Sequence, residues 1–498
     1  MSKDTNKSIV KSLFWTYGEK LGAQFVSILV SIILARLLAP EDYGVISIVM
    51  VFILFCDIFV TGGFGQALVQ KKEADDLDFN SMFFCSCGIS ILMYGFIFFT
   101  APFIANFYER PIIIPVLRVL GLRLIFSSIN TIQQAKIQKS MNFRKSFIAT
   151  IMGTSLSAGI GISMAYYGFG VWALVGQYLT SILVTTTALV RICDWHPCLQ
   201  FSWNRSKALL TFGWKILLTT VCFTLVNDFR SLVIGKKFGP GDLAFYDQGQ
   251  KFPNLIITNI NASIGRVLFP AFSNRQDDLD YVKQLCRKGI NVSTFLLAPL
   301  LIGLIAIADT FVEVVLTEKW ISCVFYLRIL TLMFLVRPFT TTCHQAILAL
   351  GHSGIILRIM IIINVTALVL LCIALFAFNS VPLVAIGSVL AELVSVALFM
   401  YYIKEMVAYN YKEQLIDVVP SLALSVFIGI VIFGLRFVLD NKILLLVMQV
   451  VLGILIYFAT SLLLKMEGII FILSRIKNKT PKNKLLERLF SYLNIVRS

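Results

Sequence analysis

Apolar residues fill this chain in long blocks parted by short polar breaks, from near the amino terminus to about residue 464. Stretches such as FVSILVSIILARLL (25–38) show no alternation, which excludes the strands of a transmembrane barrel. A run of about 20 apolar residues matches the length of a helix that crosses a bilayer. Backbone groups have no water to pair with in hydrocarbon, so such runs must be helical. The pattern predicts fourteen spans: 12–38, 41–68, 79–107, 112–137, 143–168, 170–193, 205–238, 242–272, 281–308, 322–349, 354–378, 382–408, 415–438 and 442–464. The expected fold class is all-α, a polytopic membrane protein.

The pattern also repeats. LARLLAPEDYGVISI (34–48) returns as IGKKFGPGDLAFYDQ (234–248), aligning Pro40 with Pro240 and Asp42 with Asp242. Downstream, GFGQALV (63–69) faces SIGRVLF (263–269); upstream, TYGEKL (16–21) faces TFGWKI (211–216), which pairs Lys20 with Lys215. LRVL (117–120) faces LRIL (327–330), pairing Arg118 with Arg328. An even number of spans separates the equivalents, so the two copies keep one orientation, as in transporters whose repeats are related by an axis along the membrane normal. The chain therefore divides into an amino-terminal six-helix lobe (1–193), a cytoplasmic linker (194–204), a second six-helix lobe (205–408), two additional helices (409–464) and a basic cytoplasmic tail (465–498). Pro40 and Pro240 are expected to end a helix at the outer surface, with Asp42 and Asp242 capping the next.

Composition agrees: 58% of residues are hydrophobic and 14% charged, where a soluble domain carries about a quarter charged. The basic amino terminus, MSKDTNKSIVKSLFWTYGEK, lacks a small-residue cleavage site and reads as retained. The net charge of +16 is a topology signal rather than a nucleic-acid footprint, since 27 Lys and Arg fall at span ends and loops on one side and 7 on the other. Both termini are thereby expected in the cytoplasm. Ten cysteines scattered through apolar runs suit small buried residues better than a disulfide framework.

Nine basic residues remain inside predicted spans: Lys20, Arg118, Arg123, Lys215, Arg230, Lys251, Arg266, Arg328 and Arg337. Five acids accompany them: Glu19, Asp57, Asp228, Asp247 and Glu392. An ionised side chain at the bilayer centre costs about 3 kcal/mol or more, so a surplus of cations is expected to line a hydrated cavity for an anionic group, phosphate above all. On that argument Lys20, Lys215, Arg230, Arg118, Arg123, Arg328, Arg266 and Lys251 are the candidate head-group ligands. Asp57, Asp228, Asp247 and Glu392 are candidates to carry a coupling proton or sodium ion. Lys20, Lys251 and Arg266 lie near span ends and also have a plainer reading, by snorkelling to the interface, and the i,i+4 pair Asp247 and Lys251 offers local neutralisation. A salt bridge to a nearby arginine is the plainer reading for each of the four acids.

Other constellations are weak. CDWHPC (193–198) lacks the second half of a zinc site, and His344 and His352 read as structural. There is no phosphate-cradling glycine loop, and no cofactor is expected beyond H+ or Na+. The tail fits either a basic amphipathic helix on the inner surface or a solvated segment.

ILARLLAPEDYGVISI, IGKKFGPGDLAFYDQGQKFPNLIITNINASIGRVLFPAFS and the following NRQDD resemble the polysaccharide transporter family. The likeness is to its Wzx-like branch, near the colanic and teichuronic acid exporters, of the multidrug/oligosaccharidyl-lipid/polysaccharide exporter superfamily. The resemblance implies two lobes around a V-shaped cavity. It also implies flipping of polyprenyl-pyrophosphate-linked oligosaccharide units across the bacterial cytoplasmic membrane for cell-surface polysaccharide synthesis. Expected partners are that lipid-linked glycan, membrane lipids and other polysaccharide-assembly proteins, with no nucleic acid and no covalent chemistry. Two alternatives stand beside it: a multidrug/cation antiporter of the same superfamily, which would favour an acidic interior, and a membrane-bound polysaccharide polymerase or ligase, which would place its catalytic groups in a long outer loop.

Overall fold

The structure, a computed structural model, describes residues 22, 24–71, 73–140 and 142–477. Among these residues it is helical and without strands, and eleven helical segments are long and apolar enough to cross a bilayer. The chain divides into two compact units, Met1–Ala244 and Phe245–Ser498.

In the first unit α1 (Gln24–Leu37) leads to α2 (Pro40–Thr61), α3 (Phe64–Gln70), α4 (Asp76–Tyr108), α5 (Ile113–Gly121), α6 (Arg123–Ser140), α7 (Phe143–Tyr166), α8 (Val171–Ile192) and the 35-residue α9 (Trp203–Lys237). Their ends follow from local chemistry. Pro40 opens α2, where its missing N–H costs nothing. The Asp42 carboxylate accepts from the Ala39 backbone N–H at 3.2 Å. Asp75 caps α4 in a reciprocal box: its side chain accepts from Asp78 N at 3.0 Å while Asp78 accepts from Asp75 N at 3.1 Å.

Lipid tails are as apolar as leucine, so helices in a bilayer associate through close packing of small residues. On α7, Ser146, Ala149, Gly153, Ser157, Gly161 and Ala165 are all buried, about one turn apart. A Cβ at Gly153 would run into the Thr185 hydroxyl of α8, and one at Gly161 would lie 2.9 Å from Gln177 Cβ. Gly176 of α8 receives Met164 in return. The large apolar side chains instead face outward, as on α4, where Phe99 and Phe103 are 74% and 75% exposed. Such a surface is suited to lipid.

The segment between α8 and α9 is pinned to the start of α4. Trp195 is buried against Phe79 and Phe83, the Cys198 N–H donates to Asn80 Oδ1 at 3.1 Å, and Ser202 N donates to Ser81 Oγ at 3.0 Å. Arg205 closes it with ion pairs to Asp75 (2.5 Å) and Asp78 (3.5 Å). CDWHPC is thus a packed strap, and the described residues contain no metal-competent cluster.

The division between units falls in the first turns of α10 (Pro240–Ser273). The second unit continues with α11 (Leu279–Ala306), the short α12 (Ala308–Phe311), α13 (Cys323–Leu335), α14 (Arg337–Ala349), α15 (Ser353–Cys372), α16 (Val381–Val407), α17 (Tyr411–Gly434), α18 (Lys442–Leu463) and α19 (Glu467–Lys477). Its core gathers Phe272, Cys286, Ile290, Cys343, Ile359 and Ile403. Arg287 of α11 makes a bidentate pair with Asp417 of α17 (2.7 and 2.9 Å), and the Tyr409 hydroxyl also donates to Asp417 at 2.6 Å. The described cysteines are all free thiols.

The two copies of the repeated turn meet within the first unit. Matched prolines open α2 and α10, and a Cβ at Gly44 would run into the Pro240 carbonyl. One at Gly235 would lie 2.9 Å from Ile48 Cγ1.

Candidate functional site

The interior charges fall into separate groups. In the first unit Asp57 sits near the end of α2, and Arg123 begins α6 directly after the break at Leu122 that separates it from α5. Broken helices at membrane depth are where transporters build binding sites. Arg123 bears electrostatically on Asp57, and the Ser127 hydroxyl, one turn further along α6, lies within reach of the same carboxylate. Arg123 also acts on the Tyr178 hydroxyl of α8. One Asp57 oxygen and Arg123 Nε are nevertheless buried with no hydrogen-bond partner, while an Arg123 terminal nitrogen reaches only Met50 Sδ at 4.0 Å. A half-buried carboxylate and a half-buried guanidinium whose enclosed polar atoms keep unused hydrogen-bonding capacity are costly in an apolar interior and equipped to receive a charged ligand.

The second unit holds a counterpart. Arg337 begins α14 directly after the break at Val336, and its Nε lies 3.1 Å from Oε1 of Glu392, itself 8% exposed on α16. The contact is an ion pair without hydrogen-bond alignment.

Arg118 and Arg328, matched in the sequence repeat, make one and the same tie. Arg118 Nε donates to the Phe98 carbonyl of α4 at 3.3 Å with its guanidinium 4.1 Å above the Phe98 ring, and Arg328 Nε donates to the Ile305 carbonyl of α11 at 3.3 Å. Arg328 adds Asp309 at 2.8 Å, which Arg436 also reaches at 3.3 Å. On α10 Asp247 acts on Lys251, as their i,i+4 spacing predicts, and on α9 Arg230 acts on Asp228. Lys20 lies outside the described residues, as do the side chains of Lys215 and Arg266. His344 packs against Phe399, ring centroids 6.4 Å apart.

A search for charges alone passes over the neutral polar residues gathered about Tyr178. Tyr178, Gln177 and Ser181 on α8 adjoin Thr154 and Ser157 on α7 and Gln24 and Ser27 on α1. The signal was present in the sequence as polar residues three or four apart within three apolar helices, the spacing that shares one helical face.

Fold and site together define a multi-span helical membrane protein with ionisable groups held in its interior, the build of a transporter. Residues 33–325, more than half of the chain, match the family described as "Polysaccharide biosynthesis protein", and the chain belongs to that family. It is 25% identical to the succinoglycan biosynthesis transport protein ExoT of Rhizobium meliloti, over 70% of each chain. The teichuronic acid biosynthesis protein TuaB of Bacillus subtilis is 24% identical over 70% of this chain and 73% of that one. The lipopolysaccharide biosynthesis protein WzxC of Escherichia coli is 23% identical, over 81% and 84%. Among solved structures, the lipid II flippase MurJ in an inward closed conformation superimposes with a TM-score of 0.74 at 15% identity, covering 92% of this chain and all of that one. An inward-facing multidrug resistance transporter of the MATE family gives 0.60 at 16% identity, over 77% and 95%. The expected fold class and family are therefore the observed ones.

Proposed function

We propose that this protein is a flippase that carries polyprenyl-pyrophosphate-linked oligosaccharide units across the bacterial cytoplasmic membrane by alternating access, with both termini cytoplasmic. The observation that carries this reading is Arg123, a guanidinium at membrane depth whose Nε has no hydrogen-bond partner. Arginine matches phosphate oxygens with paired donors, and a desolvated site strengthens each bond. Asp57 beside it is the candidate to exchange the coupling proton or sodium ion: loading the carboxylate removes the charge that holds Arg123 and frees it for the anionic ligand. The names of the relatives support the reading, since one is a transport protein and the others serve teichuronic acid and lipopolysaccharide biosynthesis. No covalent step is assigned to the chain.

The antiporter alternative draws on the MATE-like fold, but a cationic drug is served poorly by an interior with more basic than acidic residues. The test is deletion in the native host with analysis of lipid-linked sugars. Intact units are expected to accumulate on the cytoplasmic leaflet, and Arg123→Gln to reproduce that accumulation at normal protein levels. Normal surface polymer without accumulation overturns the reading.

A further inference from the structure

Between α1, α7 and α8 lies a cavity of about 350 Å³, lined by Gln24, Ser27, Thr154, Ser157, Gln177 and Tyr178. Its size falls at the lower end of the range for small-ligand sites. Thr154 and Ser157 stand near the middle of the 24-residue α7, so the cavity lies at mid-depth in the membrane. Among the described residues, none lining it is ionisable near neutral pH. That combination is unusual: polar groups are expensive in an apolar interior, and a site for an ion would carry a countercharge.

We infer that this cavity is a sugar subsite, which takes an uncharged pyranose ring of the translocated glycan; the inference rests on the flippase reading above. The donor and acceptor set fits. Thr154 Oγ1 donates to the Thr150 carbonyl at 2.8 Å, and Ser157 Oγ donates to the Thr154 carbonyl at 3.0 Å. Both hydroxyls therefore present acceptor lone pairs to a ligand. The carboxamide of Gln177 carries donors and an acceptor. A sugar hydroxyl both gives and accepts a hydrogen bond, so it is complementary to this mixture, whereas a phosphate, which only accepts, is not. The Tyr178 ring, 36% exposed, offers an apolar face for the ring C–H groups. The walls are held rigid because Gly153 and Gly161 seat α7 directly on Ser181 and Gln177 of α8. Arg123 acts electrostatically on Tyr178 of the cavity wall, a cationic influence that the described lining does not itself supply. Sugar and phosphate would thus be read by adjacent groups of one unit.

The experiment uses the full chain in proteoliposomes and two probes, a polyprenyl pyrophosphate bearing one hexose and the same lipid without sugar. The wild type is expected to flip the hexose-bearing lipid about tenfold faster, the size of effect that a few unmade hydrogen bonds produce. Thr154→Val with Gln177→Leu is expected to abolish that preference while leaving the bare lipid's rate unchanged. Ser157→Ala, which removes a single oxygen, is the milder variant and is expected to reduce the preference in the same direction if the double variant fails to fold. Equal loss with both lipids, no loss with either, or a wild type that moves both at one rate overturns the sugar subsite and leaves the flippase reading intact. A wild type that moves neither lipid overturns both.

Discussion

Arg123 and Arg337 occupy equivalent places in their helices: each is the first residue after a break, and each addresses a carboxylate on another helix, the half-buried Asp57 and the buried Glu392. The second pair is closed at 3.1 Å, so removing its cation strands Glu392 in an apolar interior. Arg337→Met is expected to lower stability by about 2 kcal/mol, below the usual cost of breaking a buried pair because the guanidinium is partly exposed. Arg337→Met combined with Glu392→Gln recovers most of that loss. Thermal unfolding of the purified protein in detergent measures both, and a double variant no more stable than the single one refutes the pairing.

Asp417 is nearly enclosed and depends on Arg287 for two of its three short bonds. Arg287→Ala leaves it with the Tyr409 hydroxyl alone and is expected to cost about 3 kcal/mol. Asp417→Asn costs less, because Arg287 keeps Glu413 at 3.9 Å. A melting series that ranks the two the other way contradicts this assignment.

Gly44 lies so close to the Pro240 carbonyl that any side chain there must displace it. Gly44→Ala is expected to part the two repeated turns, at a cost of about 1–3 kcal/mol for overpacking. Labelling of a Gly241→Cys reporter by a bulky maleimide should accelerate in the Gly44→Ala background, since Gly241 faces Glu41 across the same contact. An unchanged labelling rate counts against the closeness of the two turns.

At the strap, the Asp78 backbone N–H and the Arg205 guanidinium hold the Asp75 carboxyl down to about 2. A lowered folded-state value means that this contribution to stability is complete above the ordinary aspartate range, about 4. It is lost as the pH falls toward about 2. Between those limits the melting temperature of the wild type should fall more steeply than that of Asp75→Asn. Parallel slopes would separate Asp75 from the acid response.

Helix positions were legible because a bilayer permits little else: runs read as 143–168 and 382–408 appear as Phe143–Tyr166 and Val381–Val407. The matched turns were legible through Pro40 and Pro240, each of which opens a helix. The site was legible only in part. Counting charges found Arg123 and Asp57, but charge says nothing of partners, so Arg118 and Arg328 looked alike to Arg123 although both are tied to a neighbouring helix's carbonyl. The equivalence of Arg123 and Arg337 escaped the repeat, because the LRVL and LRIL match sets them in different registers and only the helix breaks align them. The neutral residues around Tyr178 escaped because hydroxyls and carboxamides in an apolar run pass for solvated or backbone-bonded positions.

The glycine-lined contact of α7 with α8 has an electrical consequence. Gly153, Gly161 and Gly176 bring the two helices together with side chains seated directly on backbone, so that at these three levels the seam has no room for a file of water. Protons and sodium ions travel through membranes along such files. Substituting bulk for any of these three glycines would pry the seam apart and turn a sealed helix pair into a leak, dissipating the membrane potential before any effect on the cargo was felt.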